Sequence, residues 1–109
     1  MQKPYVVGID IGGTNTVFGI VDARGSVLAT SSIKTQKHVF LEDYIKELYQ
    51  ELSKLIKDNT DISKIKGIGI GAPNANYFTG NIEQAPNLPW KGIIPFAQKI
   101  NEQFHLPVA

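Results

Sequence analysis

The sequence contains no cysteine among its 109 residues. That absence excludes disulfide bonds and thiolate metal sites within this stretch. Histidine is scarce as well, and neither His38 nor His105 has a second histidine or a carboxylate at a useful spacing. We therefore expect no zinc site here and read both histidines as ordinary surface or loop residues.

An excess of one charge is also lacking. The formal net charge is +1, and the basic residues are scattered rather than clustered. Such a surface does not favour direct binding of nucleic acid. The longest apolar runs are far shorter than the roughly 20 residues that cross a bilayer, and the amino terminus has no signal-peptide pattern. We expect a soluble cytoplasmic protein without membrane contacts.

The residues that are present suffice for one packed core. Apolar residues make up 42% of a chain whose length fits one domain or one lobe of a larger enzyme. The last apolar segment, Leu106–Ala109, resembles the first residues of a strand, and strands need partners along their length. We therefore interpret residues 1–109 as one lobe of a longer chain.

The first third of the chain has the pattern of β-strands. β-branched and apolar residues dominate Tyr5–Ile11, Thr16–Val21 and Ser26–Thr35, and short turn sequences separate them. These three strands predict an antiparallel meander. A fourth strand at Ile65–Gly71 carries alternating glycines, which would leave one face bare so that another element can approach closely.

Helical periodicity appears twice. One apolar stripe predicts a helix that ends near Asn59, and another predicts a helix that includes Pro95 in its first turn. A long loop of residues 72–90 precedes the second helix, and a strand from Leu106 follows it. The order predicts an α/β fold with a mixed sheet, in which three antiparallel strands are joined by two parallel ones and helices pack on the sheet. The stripes are Leu41, Ile45, Leu48, Leu52 and Leu55, then Ile93, Ala97, Ile100 and Phe104.

The turn between the first two strands is the first candidate site. Gly12 and Gly13 allow positive φ and leave backbone N–H groups uncovered, an arrangement that can cradle phosphate. Asp10, at the end of the strand, could hold Mg²⁺ through a water. Alternatively, the segment is a simple hairpin turn in which Asp10 bonds to its own loop. Short polar donors follow the glycines: Thr14, Asn15 and Thr16.

Several ordered segments of this chain resemble ROK-family sugar kinases. They are Asp10–Thr14 with the following Phe18–Asp22, then Gly69–Asn74, Ala85–Trp90 and Leu106–Val108. The resemblance implies the ribonuclease-H-like, actin-like ATPase fold, in which ATP and a sugar bind between two lobes. It further implies ATP-dependent phosphorylation of a hexose, for which we expect glucose. The resemblance covers most of the first lobe.

The resemblance assigns site residues by position. Asp10 would lie near Mg²⁺, with Gly12, Gly13, Thr14 and Asn15 beside the ATP phosphates. The positions near the sugar hydroxyls would be Ala72, Pro73, Asn74 and Asn87.

What lies beyond Ala109 matters equally for the expected activity. The resemblance implies that the catalytic aspartate, a zinc-binding cluster and the adenosine-binding segment all follow Ala109. We therefore expect these 109 residues alone to be inactive, and the full-length protein to form homo-oligomers. Many members carry Lys or Arg in or just after the glycine turn, whereas Asn15, Thr16 and Val17 are uncharged.

Alternatives remain open. The same family includes sugar-responsive transcriptional regulators, and other kinases of this fold act on acetate or acyl groups. Gly67–Ala72 matches a dinucleotide-binding pattern, but its glycines lie within a strand rather than at the start of a helix. Trp90 is either a wall of the sugar pocket or, as we favour, a core aromatic that anchors the loop.

Overall fold

The computed structural model describes residues 4–72, 75–76, 80–83, 88–90 and 92–108. The helices and strands have the following bounds: β1 Tyr5–Ile11, β2 Asn15–Asp22, β3 Val27–Lys34, α1 Leu41–Asn59, β4 Ile65–Gly71, β5 Ala75–Asn76, β6 Asn81–Glu83, β7 Ile93–Ile94 and α2 Phe96–Phe104. Two short 3₁₀ turns, Thr35–Lys37 and Ile62–Lys64, flank α1.

The main sheet has the strand order β3-β2-β1-β4. β2 is antiparallel to both β1 and β3, and β4 is parallel to β1, so the predicted meander and parallel strand are confirmed. The strand predicted from Leu106 is present as a single parallel bridge between Ile68 and Val108. The Ile68 amide also donates to the Pro107 carbonyl at 2.8 Å. Ala109 lies outside the described residues.

Helix α1 covers one face of this sheet. Acidic Glu42 and Asp43 occupy its first turn and basic Lys57 its last, which complements the helix dipole. The buried stripe differs from the predicted one: Leu41 and Leu55 are only partly buried. The predicted Ile45, Leu48 and Leu52 do face the core, and Tyr44 and Ile56 face it in place of the other two.

Helix α2 begins later than its apolar spacing predicted. Ile93 belongs to β7, whose partner is β6, and not to the helix. Pro95 explains the difference, because a proline disfavours helical conformation in the residue before it. Pro95 itself stands just outside the first helical residue, Phe96. The buried residues of α2 are therefore Phe96, Ile100 and Phe104.

The opposite face of the main sheet is uncovered by the described residues. Gly8 pairs with both Gly19 and Gly69, so three glycines lie side by side across β2, β1 and β4. Asp10 lines the same face, an open depression of about 640 Å³. Gly67 does have a close neighbour, since an added Cβ would lie 3.3 Å from the Pro107 carbonyl oxygen, but that carbonyl belongs to the segment bridged to β4 at Ile68, and nothing described lies within 4 Å of a Cβ on Gly69. In the described ranges, no helix combines the length and apolar character needed to span a bilayer.

Candidate functional site

The turn from β1 to β2 is closed by its own backbone. The Gly12 amide donates to the Asn15 carbonyl at 2.9 Å. A Cβ on Gly12 would lie 2.9 Å from that same oxygen, so this position needs glycine because the backbone approaches closely. The expectation of positive φ here is wrong. Among the described residues, the glycines with positive φ are Gly25, Gly80 and Gly92.

The polar groups of the turn divide into two sets. The carbonyls of Gly13 and Thr14 accept hydrogen bonds from the Gln36 side chain at 2.7 Å and the Thr35 amide at 2.9 Å, respectively. The amides of Gly13 and Thr14 form no hydrogen bond within the described ranges. Among the described residues, the two neighbouring amides thus have no partner, while the carbonyls of the same residues are fixed by Gln36 and Thr35. Adjacent free amides of this kind can bind an anion.

Asp10 lies beside this turn, one residue before the end of β1. It is exposed and pairs in register with Val17 on one side and Gly71 on the other. Its Oδ1 atom lies 3.8 Å from the position that a Cβ on Gly71 would occupy. The carboxylate makes no hydrogen bond or ion pair with the residues that the structure describes. The alternative in which Asp10 bonds to its own loop therefore finds no support.

The predicted sugar side is described in part. Ala72, half-buried against the core, directly follows Gly71, the partner of Asp10. The loop that begins at Ala72 thus starts at the same sheet edge as the glycine turn, because β1 and β4 are parallel. Pro73, Asn74 and Asn87 lie outside the described residues.

Thr16 does not belong to the open side of the turn. Its side chain is fully buried, and its hydroxyl lies 2.8 Å from the Thr35 hydroxyl and 2.7 Å from the Tyr44 hydroxyl. Its expected role as a donor to a ligand is therefore wrong, whereas Thr14 and Asn15 are exposed. The alternation of a strand explains this, since residues 15 and 16 must face opposite sides of the sheet.

Trp90 lies in the core, as favoured from the sequence. Its side chain is 6% exposed, and its ring centroid lies 4.3 Å from that of Tyr44. Leu88, two residues earlier, is also buried. The Trp90 indole N–H has no hydrogen-bond partner within the part of the chain that the structure describes. Tyr44 was missed as a core residue, although its spacing from Leu41 and Leu48 fits the helical stripe.

The tertiary structure adds a cation that the sequence analysis missed. Lys34, the last residue of β3, pairs in register with Asn15 of the turn. Its side chain is exposed and forms no ion pair among the described residues. A basic group therefore stands next to a turn that itself has no charge. Strand register, rather than sequence distance, brings the two together.

His38 corrects another expectation, because it does have a carboxylate partner. Its Nε2 atom lies 2.9 Å from Glu47, and Lys37 lies 3.2 Å from the other oxygen of that carboxylate. Partial burial raises the pKa of Glu47, but the hydrogen bonds from His38 and Lys37 outweigh it and hold the pKa below its ordinary value. Within the described ranges, no cluster of three or more histidine or acidic residues could hold a metal ion.

The model of the ROK family matches residues 6–109. A glucokinase from Halalkalibacterium halodurans is 30% identical over 113 residues, which span 99% of this chain and 33% of that protein. A glucomannokinase from Segatella bryantii is 79% identical over 20 residues, or 18% of this chain and 80% of that sequence.

A solved structure shows the same architecture. The crystal structure of a ROK family glucokinase from Streptomyces griseus, in complex with glucose and AMPPNP, superposes with a TM-score of 0.80 at 25% identity. The match covers 96% of this chain and 32% of that one. The chain thus spans about a third of the length of the full-length relatives that it matches.

Proposed function

Because this chain belongs to the ROK family, we propose that the full-length protein transfers the γ-phosphoryl group of ATP to a hexose. The observation that carries the proposal is the sheet edge at which three features meet. These are the exposed Asp10 carboxylate, the amides of Gly13 and Thr14, which bond to none of the described residues, and the start of the loop at Ala72. The fold is that of ROK kinases, the actin-like ATPase fold.

The residues present suit ATP phosphates and Mg²⁺. Magnesium is usually held by one or two carboxylates together with waters and substrate phosphates, so a single exposed Asp10 meets the need. The amides of Gly13 and Thr14 would face the phosphate oxygens, and a side chain on Gly12 would displace the Asn15 carbonyl that closes the turn. Lys34 would supply the positive charge that the turn lacks. When bound, Mg²⁺ offsets the negative charge that develops on the transferred phosphoryl group.

This chain would therefore bind and orient the phosphates, while the general base is supplied from elsewhere in the protein. The family resemblance implies an aspartate after Ala109 for that role. Phosphoryl transfer depends mainly on alignment and electrostatic stabilisation, so the turn contributes even without a base of its own. We expect the 109-residue chain by itself to show no activity.

We propose glucose as the hexose and mannose as a second substrate. The glucokinase relative supports glucose, and the glucomannokinase segment supports both sugars. In our proposal the loop that begins at Ala72, with Pro73, Asn74 and Asn87, approaches the sugar hydroxyls. Asparagine suits this task because its amide both donates and accepts hydrogen bonds.

The test uses the full-length protein and measures ADP release with glucose, mannose, fructose, N-acetylmannosamine and acetate as acceptors. We expect turnover with glucose and mannose. Asp10→Asn should lower kcat by at least about a hundredfold, as expected for loss of a metal-holding charge. Asp58→Asn is the matched control, because Asp58 is exposed near the end of α1. Failure of every hexose to accept phosphate would refute the proposal.

The regulator alternative calls for a separate assay. A sugar-responsive regulator would bind a specific DNA sequence, and its affinity for that DNA would fall or rise when sugar is added. A gel-shift experiment with the full-length protein distinguishes this activity from phosphorylation. Specific DNA binding together with absent turnover would favour the regulator.

Other properties of the full-length protein are proposed on the family resemblance alone. We propose a cytoplasmic homo-oligomer with a structural zinc site in the residues that follow Ala109. Light scattering and metal analysis of the purified full-length protein test both. A monomeric, zinc-free protein would contradict them.

A further inference from the structure

Tyr44 connects the strand that follows the glycine turn with the segment that contains Trp90. It lies in the first turn of α1 and is completely buried between the glycine turn and the segment that contains Leu88 and Trp90. Its hydroxyl points to one part and its ring packs against the other.

The hydroxyl end joins a chain of hydrogen bonds that leads to the turn. The Tyr44 hydroxyl lies 2.7 Å from the Thr16 hydroxyl, which in turn lies 2.8 Å from the Thr35 hydroxyl. The backbone amide of Thr35 then donates to the Thr14 carbonyl at 2.9 Å. All three hydroxyls are buried. If one of them moves, its partner loses a hydrogen bond that water cannot replace.

Burial also keeps this network in one protonation state. It raises the pKa of the Tyr44 hydroxyl well above its ordinary value, against the smaller lowering effect of the bond to Thr16. The hydroxyl therefore stays protonated and able to donate at all physiological pH values. The network can act as a permanent support rather than as a switch.

The ring end contacts the loop side of the site. The Tyr44 ring lies 4.3 Å from the Trp90 ring and 6.1 Å from the Phe96 ring, with interplanar angles of 47° in both pairs. Tilted aromatic pairs at about such distances are favourable. Because the two rings are in direct contact, a displacement of Trp90 would disturb the packing of the Tyr44 ring, which carries the hydroxyl.

We propose that Tyr44 is a positioning residue that couples the glycine turn to the loop segment ending at Trp90. Under the proposed function, on which this inference rests, it would hold the phosphate-binding amides of Gly13 and Thr14 in register with the sugar-binding loop. Tyr44 itself touches neither substrate. Its effect would be to set the relative position of two groups that must align for transfer.

The first test compares Tyr44→Phe with Tyr49→Phe in the full-length protein. Tyr49 is on the same helix and its ring packs 4.9 Å from Phe104, away from the turn, so it is a matched control. Hydrogen exchange of the unliganded protein is measured at the Gly12 and Thr35 amides, which report on the turn. We expect at least about fivefold faster exchange in Tyr44→Phe and less than twofold change in Tyr49→Phe.

The second test approaches the same link from the loop. Trp90→Phe should also accelerate exchange at the Gly12 and Thr35 amides, although Trp90 contacts neither. In the Tyr44→Phe background, Trp90→Phe should add no further acceleration, because the connection is already broken. Thr16→Val should reproduce Tyr44→Phe, and Thr16→Ser, which keeps the hydroxyl, should restore slow exchange.

Kinetics provide a readout that a general loss of stability would not produce. Tyr44→Phe should raise the KM for ATP about three- to tenfold, as for loss of one buried hydrogen bond, while the KM for glucose changes less than twofold. Tyr49→Phe should change neither. Thermal unfolding of each variant confirms that the comparison is made on folded protein.

The outcomes separate the inference from the proposed function. Unchanged exchange at the turn in Tyr44→Phe, or strictly additive effects of Tyr44→Phe and Trp90→Phe, would overturn the coupling. Faster exchange in both variants, combined with a wild-type protein that phosphorylates no hexose, would support the coupling and refute the function. An equal rise of both KM values in Tyr44→Phe would also count against a specific positioning role.

Discussion

Gly12→Ala is the sharpest test of how the turn is built. The added Cβ would lie 2.9 Å from the Asn15 carbonyl oxygen, whereas ordinary contact begins at 3.4 Å. The oxygen must therefore retreat by about half an ångström, since ordinary contact distances allow no less. That oxygen also accepts the Gly12 amide at 2.9 Å, so the same movement stretches the hydrogen bond that closes the turn beyond its normal range.

The magnitude follows from these contacts. Overpacking of this kind costs about 1–3 kcal/mol, and this range includes about 1 kcal/mol for the weakened hydrogen bond. Replacing glycine by alanine also lowers the conformational entropy of the unfolded chain, which by itself raises the free energy of unfolding by up to about 1 kcal/mol. We expect a net loss of about 1–2 kcal/mol in the free energy of unfolding. If the amides of Gly13 and Thr14 move with the turn, the KM for ATP should rise about tenfold.

The assay combines urea unfolding of the full-length protein with ATP kinetics. Gly8→Ala is the control, because it adds the same methyl group to β1, just before the turn, at a position where nothing described lies within 4 Å. Its stability and KM for ATP should stay close to wild type. A Gly12→Ala protein as stable as Gly8→Ala, with an unchanged KM for ATP, would refute the close-approach explanation.

Three further predictions concern charge and backbone geometry. Lys34→Met should raise the KM for ATP about three- to tenfold and leave the KM for glucose unchanged. Added salt should reduce the difference in KM for ATP between the variant and the wild type. Equal changes in both KM values would contradict the prediction. The pKa of Glu47 is lowered on folding, because the bonds from His38 and Lys37 outweigh the effect of desolvation. Glu47 therefore stabilises the fold at pH values above its ordinary pKa of 4.5, and this stabilisation is lost as the pH falls below that value. In thermal unfolding from pH 6 to 3, Glu47→Gln should therefore lose stability less steeply than wild type, and parallel curves would exclude this pair as a cause. His105→Gly should raise the free energy of unfolding by about 1 kcal/mol, because His105 ends α2 in the left-handed conformation at φ 56°; a lower melting temperature would show that its side chain matters more.

The regular elements were largely predictable because their signals are local. Two strands, Tyr5–Ile11 and Ile65–Gly71, have the predicted bounds, and α1 ends at the predicted Asn59. Alternating burial in strands and the period of a helix are both visible within a few neighbouring residues. The start of α2 was misplaced because Ile93 fits the helical period, whereas Pro95 disfavours helical conformation in Ile94, the residue before it.

Only those parts of the candidate site that are adjacent in sequence were predictable. Asp10 and the two glycines were identified as a unit, and the structure keeps them together at the edge of the sheet. The inward orientation of Thr16 was within reach, because strand alternation separates it from Asn15. The pairing of Lys34 with Asn15 was not, since it depends on the register of β2 with β3.

By itself, the sequence determined which segments become strands and helices, and it placed a glycine turn directly after an acidic residue. These features follow from side-chain periodicity and backbone freedom, which act over a few residues. The tertiary structure decided which polar groups of the turn remain available and what supports them from behind. Thr35, Tyr44 and Trp90 come from three separate segments, and only packing and strand register bring them beneath the turn. Contacts of that kind arise from the whole chain folding at once, so no local pattern contains them.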